Sequence, residues 1–212
     1  MGSSPTDHVL LAQQVAPSPQ RRRDRRRQRR RLAERERLVS RLGELADIDR
    51  LLASAQDVVE HGWVQDVWFT YRTGTGTVVG SFAEAGPLSP GSPQDVGWVA
   101  GCLVSAVRRA GHTGGHSRQV VERSLDATWH ALHSHGRADE RVRWCPAPEI
   151  RDVHVHDLAR WNDRHGRTAD DVTALLGATR TVTAAERLHA VADLREVSAR
   201  CVPGAAGAFA LD

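Results

Sequence analysis

Leu158-Ala159-Arg160-Trp161-Asn162-Asp163-Arg164-His165-Gly166-Arg167-Thr168-Ala169-Asp170-Asp171-Val172 is the stretch on which the reading of this chain turns. An apolar stripe ends at Trp161, two short polar residues follow, Gly166 supplies a turn, and Thr168 stands where a helix N-cap belongs. One helix should end here and another begin, with Trp161 packed under the turn and Asn162 or Asp163 satisfying backbone groups that the helix ends leave free. A corner of that kind fits a helical domain.

The stripes on either side agree. After the corner, Val172, Leu175, Leu176 and Thr179 recur at helical spacing, and Thr183-Ala184-Ala185-Glu186 has the form of a capping box opening a last helix through Val197. Before it, Ile150, Val153, Leu158 and Trp161 approximate one helical face. Further upstream, Ser117 is placed to cap a helix whose apolar side is Val121, Leu125, Thr128 and Leu132. Ser92-Pro93-Gln94-Asp95 resembles a helix entrance, and Val96, Val99, Ala100, Leu103, Ala106, Val107 and Ala110 follow it as one apolar face closed by Gly111. Leu38, Leu45, Leu52 and Val59 recur every seven residues, which predicts a core helix over about 47–60 that ends near Gly62. Gly43 and Ala46-Asp47-Ile48-Asp49 offer a place for that helix to break. Residues 67–72 and 77–82, β-branched and aromatic, flank Thr73-Gly74-Thr75-Gly76 and predict a hairpin. The fold class expected is therefore mainly α: five or six helices and one short β-hairpin.

Composition places this domain behind a very different segment. The chain has 212 residues, and all 29 of its basic Lys/Arg positions are arginine. Arginine without lysine, with abundant Ala, Gly and Val, suggests a GC-rich genome such as that of an actinobacterium or its phage. Residues 1–45 carry twelve arginines against five acids, a net of +7, and residues 46–212 carry seventeen against twenty-one, a net of −4. Nine of the arginines fall within eleven positions: Arg21, Arg22, Arg23, Arg25, Arg26, Arg27, Arg29, Arg30 and Arg31. The organisation expected is a disordered Arg-rich arm at 1–45, a helical domain at 46–202 and a flexible tail at 203–212. Guanidinium groups engage phosphates bidentately and displace counterions, so nucleic acid is the partner the arm suggests. A competing reading treats the segment as an inert tail, or as upstream sequence translated ahead of a start at Val39.

The chain has three cysteines without CxxC spacing, no apolar run of membrane-spanning length and no secretory h-region. Together these point to a reduced, cytoplasmic protein that does not enter the membrane.

Gly62-Trp63-Val64-Gln65, Cys102-Leu103-Val104-Ser105-Ala106, Trp161-Asn162-Asp163 and Thr168 to Val172 together resemble a family of small actinobacterial and phage proteins of unknown function. That family has Gly-Trp-x-Gln, a Cys-x-x-Gly-Ala helix, and Trp-Asn-Asp before Thr-x-x-Asp/Glu-Val. Ser105 here replaces its glycine, and Gly101 stands where an aromatic often precedes the cysteine. The resemblance runs over roughly 47–180 and makes Trp63, Gln65, Cys102, Trp161, Asn162, Asp163 and Thr168 family-motif positions. It implies no activity, substrate or cofactor.

Chemistry outside the arm is sparse. Asp126, His130 and His133 lie at i, i+4 and i+7 and are weak metal candidates beside the commoner reading of a solvated face. His154-Val155-His156-Asp157 has the look of a metal motif, but on a helix residues two apart point in different directions. Cys102 reads as a small core residue two turns inside a helix that begins near Pro93. Gly74-Thr75-Gly76 lacks the GKS/T of a phosphate loop. No catalytic residue and no cofactor is assigned. The favoured reading is a non-enzymatic binding or regulatory protein whose arm contacts nucleic acid. Its rivals are a metal- or thiol-dependent enzyme with a site near Cys102, His154, Asn162 and Asp163, and a protein-interaction module.

Overall fold

A computed structural model describes residues 19–80, 97–134, 141–145 and 147–201. Five helices are described: α1 (Pro19–His61), α2 (Leu103–Thr113), α3 (Arg118–His133), α4 (Pro148–Asn162) and α5 (Ala169–Cys201). Three strands, β1 (Phe69–Thr73), β2 (Gly76–Gly80) and β3 (Trp98–Gly101), form one antiparallel sheet in the order β2-β1-β3. No helix among the described residues is long and apolar enough to cross a membrane.

α1 and α5 are the long members, and their mutual contact is the most extensive among the described elements. From the sequence-predicted repeat, Leu45, Leu52 and Val59 are buried together with Ile48, Leu51 and Ala55, while Leu38 and Leu42 are half-buried nearer the N-terminal end. This stripe packs on Leu103, Val104 and Val107 of α2 and on Val172 and Leu176 of α5 in one continuous core. The helix does not break at Gly43. The expected arm divides at Pro19: residues 1–18 lie outside the described residues, and from Pro19 the arginine run forms the first turns of α1, with Arg23 to Arg31 exposed. The expected tail at 203–212 also lies outside them.

Two predicted elements come out differently. The hairpin forms, with Phe69 opposite Gly80 and Thr73 opposite Gly76, but it gains a third strand from Trp98-Val99-Ala100-Gly101. These residues were expected inside a helix, whose predicted entrance at 92–95 lies outside the described residues. A central strand needs partners on both edges, and β3 supplies the second. Trp98 stacks on the buried Phe69 ring at 5.1 Å, Arg72 N donates to Gly97 O at 2.6 Å, and Cys102 N donates to Trp68 O at 2.9 Å. The helix begins only at Leu103. Tertiary pairing has overridden helical periodicity.

The second difference is the capping box at Thr183. α5 runs through it unbroken, because Thr183 Oγ1 donates to the carbonyl of Thr179, one turn back, at 2.9 Å. Glu186 is taken up elsewhere: its carboxylate accepts from Arg41 at 3.2 Å and from Val142 N at 3.3 Å. It thereby ties α1 and the 141–145 segment to α5. The expected cap at Ser117 is present, its Oγ accepting from Val120 N. Pro148, to which the sequence assigned no capping role, occupies the first turn of α4.

Gly62, at the end of α1, lies so close to β3 that a Cβ there would sit 2.3 Å from Val99 O. Backbone must move to admit it. Gly62→Ala is expected to destabilise the domain by roughly 2 kcal/mol, read as a fall in Tm of about 4–8 °C. Gly43→Ala, with open space around it, should leave Tm unchanged or raise it.

Candidate functional site

The corner that ends α4 is built from one buried amide. Asn162 is fully buried, and its side chain makes four hydrogen bonds. Oδ1 accepts from Trp63 Nε1 at 2.8 Å and from Leu103 N at 3.1 Å. Nδ2 donates to Val64 O at 3.1 Å and to Asp163 Oδ1 at 2.8 Å. Asp163 Oδ1 also accepts from Asp66 N, where the backbone turns left-handed at φ 61°. Gln65 Nε2 donates to the carbonyls of Asn162 and Arg164, both at 3.0 Å. The corner thus clamps the Trp63–Asp66 segment and at the same time caps the first turn of α2 from a distance. Gly166, at φ 80°, makes the turn. Thr168 and Asp171 then cap α5 reciprocally: Asp171 N donates to Thr168 Oγ1, and Thr168 N and Oγ1 both donate to Asp171 Oδ2. Those bonds pull the Asp171 carboxyl below its ordinary range. Arg167 lies over the Trp161 ring at 4.0 Å.

Trp63, Gln65, Cys102, Asn162 and Asp163 therefore converge, but the polar atoms of the clasp serve backbone amides and carbonyls and one another. Cys102 is not two turns inside a helix. It occupies the N-cap of α2 at φ −69°, ψ 170° without making a capping bond, a place that Asn162 fills instead. Its thiol donates to Ser105 Oγ at 3.6 Å and is 2 % exposed. Burial pushes that thiol above its ordinary value, outweighing the local hydrogen bonds that act the other way. A nucleophilic cysteine needs the opposite.

His154, the remaining member of the proposed enzyme site, lies elsewhere. Its ring stacks on Trp129 at 3.8 Å, with His133 on the same indole at 4.3 Å. Burial holds the His154 imidazole below its usual value. His156, two residues on along α4, is exposed, so the two histidines do not share a ligand. His130 is buried and His133 exposed, and neither joins Asp126 in a cluster of metal donors among the described residues. Asp126 instead meets Cys145 and His154, with one donor atom of each within 4.8 Å of the others. No spacing rule finds this set, because it spans two helices and an irregular segment. Arg151 forks onto Asp126, Nε to Oδ1 and Nη2 to Oδ2, both at 3.1 Å, and reaches Glu122 through Nη1 at 2.9 Å.

Arg151 also forms part of the wall of a cavity of about 430 Å³ between α2, α3 and α4. Arg108, Arg109 and Arg118 bring positive charge to its lining, against Glu122 and Asp152, beside His112, His116 and the apolar Val121, Leu125 and Val155. Burial lowers the affinity of both Arg108 and Arg109 for their protons.

The fold and clasp define a small helical domain closed by a buried asparagine and carrying a three-stranded sheet. The chain belongs to the family of unknown function DUF6197, whose family model matches residues 44–182. No curated protein and no solved structure matches it. The matched span begins where α1 enters the core, so the arginine run lies outside it.

Three outcomes test this arrangement. Asn162→Ala should cost roughly 2–4 kcal/mol in denaturant unfolding, since it strands buried donors and acceptors. Asn162→Asp, nearly isosteric, should cost at least as much, because its second oxygen would face the Val64 carbonyl and the Asp163 carboxylate. In chelator at neutral pH, iodoacetamide should modify half-buried Cys145 faster than Cys102, as read by peptide mass spectrometry. Faster labelling of Cys102 would contradict its buried, protonated state.

Proposed function

We propose that this protein is a non-enzymatic binding or regulatory protein whose arginine-rich helical segment contacts nucleic acid. The observation that carries the reading is the exposure of that segment. Arg23, Arg25, Arg26, Arg27, Arg29, Arg30 and Arg31 are all exposed on α1, and apart from Arg31 none of their side chains forms an ion pair or hydrogen bond with a described residue. Arg31 donates through Nη1 to the carbonyl of Arg200 at the end of α5, at 2.6 Å. Beyond that tie the helix projects for about a dozen residues, roughly 18 Å at 1.5 Å per residue.

Like charges recur four residues apart among the described side chains of the projection: Arg23 and Arg27, Arg25 and Arg29, Arg26 and Arg30, Arg27 and Arg31. Each such pair costs a few tenths of a kcal/mol in an isolated helix, about 0.2–0.5. Phosphates alongside would remove that cost and release counterions. Arg41, by contrast, is spent inside the body, on Glu186 and over the Trp144 ring at 4.2 Å. The segment's non-basic positions, Gln20, Asp24 and Gln28, fall on one side of the helix at i, i+4 and i+8. The cationic groups occupy the rest of its circumference, which favours backbone contact over reading of base edges.

Binding of duplex and single-stranded nucleic acid by the full chain should weaken with salt. Plotted as log K against log salt, the slope should be about −4 to −8. A full-length variant with all nine arginines of 21–31 changed to Gln should lose most of that slope while keeping the wild-type Tm. A slope near zero for the wild-type chain, or an unchanged slope in the variant, would refute the reading.

A further inference from the structure

We propose that Asp126, Cys145 and His154 form a binding site for a borderline-soft divalent metal ion of the zinc class, independent of the arginine-rich segment. The donor set is one carboxylate oxygen, one sulfur and one imidazole nitrogen, a mixture that zinc accepts and hard ions such as magnesium or calcium do not favour. One donor atom of each lies within 4.8 Å of the others, so a modest closure brings all three to one point. The mutual proximity also separates this cluster from a thiol–imidazole–carboxylate relay, in which the nucleophile and the carboxylate stand on opposite sides of the ring.

Three details mark the cluster as more than an ion pair. His154 is 8 % exposed, and its buried Nδ1 has no hydrogen-bond partner. Buried polar atoms are rarely left so. Stacking on Trp129 fixes the plane of the ring without using either nitrogen. Asp126, 1 % exposed, has three acceptor positions filled, by Arg151 Nε, Arg151 Nη2 and Cys145 N. An ionised carboxylate offers about four, so one lone pair remains for a cation while Arg151 holds its orientation. Glu122 shares the charge of Arg151, which reduces the repulsion a neighbouring dication would meet.

Cys145 is carried by the irregular 141–145 segment, and that segment is positioned. Val142 N bonds Glu186, Arg141 pairs with Asp193 at 3.0 Å, and Cys145 N bonds Asp126 itself. The thiol rests against Ala147 O at 3.1 Å. On metal binding Cys145 gives up its proton to solvent, so binding strengthens as pH rises. Three protein donors leave the fourth tetrahedral position to water or a small ligand. Arg151, which orients Asp126, also lines the cavity, so one guanidinium touches both the donor cluster and the cavity.

The test uses the full chain, purified without a polyhistidine tag, treated with chelator and reductant, and titrated with Co²⁺ and then Zn²⁺. About one equivalent of Co²⁺ should bind, with the near-ultraviolet absorption of a thiolate–cobalt bond, and Zn²⁺ should displace it. Cys145→Ser should abolish that absorption, His154→Gln should weaken binding at least ~10-fold, and Cys102→Ser should keep both. To stand clear of any folding defect in the variants, the wild-type chain supplies a second readout: Zn²⁺ should protect Cys145, and not Cys102, from alkylation. Sub-stoichiometric binding, an absorption band that survives in Cys145→Ser, unchanged affinity in His154→Gln, or labelling of Cys145 that ignores Zn²⁺ would each overturn the proposal.

Discussion

The side-chain amide of Asn162 is the constraint on which the domain's closure depends. A fully buried primary amide has two donors and two acceptor lone pairs to satisfy, and here all four are used, on groups from three separate parts of the chain. Trp63 and Val64 follow α1, Leu103 opens α2, and Asp163 begins the turn toward α5. Hydrophobic contact brings these elements together without direction. The amide gives them a fixed angle, because hydrogen bonds tolerate little misalignment. β3 depends on the same point: it enters α2 at Cys102, whose next residue Asn162 caps, and its Gly101 amide donates to Gly62 O at 3.2 Å.

The clasp was legible in the sequence because its parts are local. Trp161, Gly166 and Thr168 each have a conformational reason to stand beside Asn162, and reading the corner as a structural one agrees with where its hydrogen bonds go. Its partners were not legible. Nothing in the spacing of Asn162 and Trp63 says that they meet. The helical core was also readable, since Leu45, Leu52 and Val59 keep to one face whatever they pack against.

The misreadings share a cause. Val96 to Ala100 keeps a helical period, yet β1 needs a second edge partner and Trp98 finds the Phe69 ring. Thr183-Ala184-Ala185-Glu186 has a cap's composition, yet Thr183 satisfies itself on Thr179 and Glu186 is drawn to Arg41 and Val142. In both cases a local preference worth about 1 kcal/mol or less yields to long-range partners. The cluster of Asp126, Cys145 and His154 is the extreme form of the same limit. Its residues are ordinary one by one, and only the packing of α3 and α4 with the 141–145 segment makes them neighbours.

The unbroken course of α1 has one more consequence. A helix turns sequence position into azimuth, about 100° for each residue. Because α1 passes through Gly43 without a break, the seam of Gln20, Asp24 and Gln28 points in a direction set by Leu45 and Leu52 in the core. The basic segment is therefore keyed to the body rather than free to swivel. One residue inserted between Arg31 and Leu45 would leave the core's side chains in place and turn the seam through about a quarter of a circle.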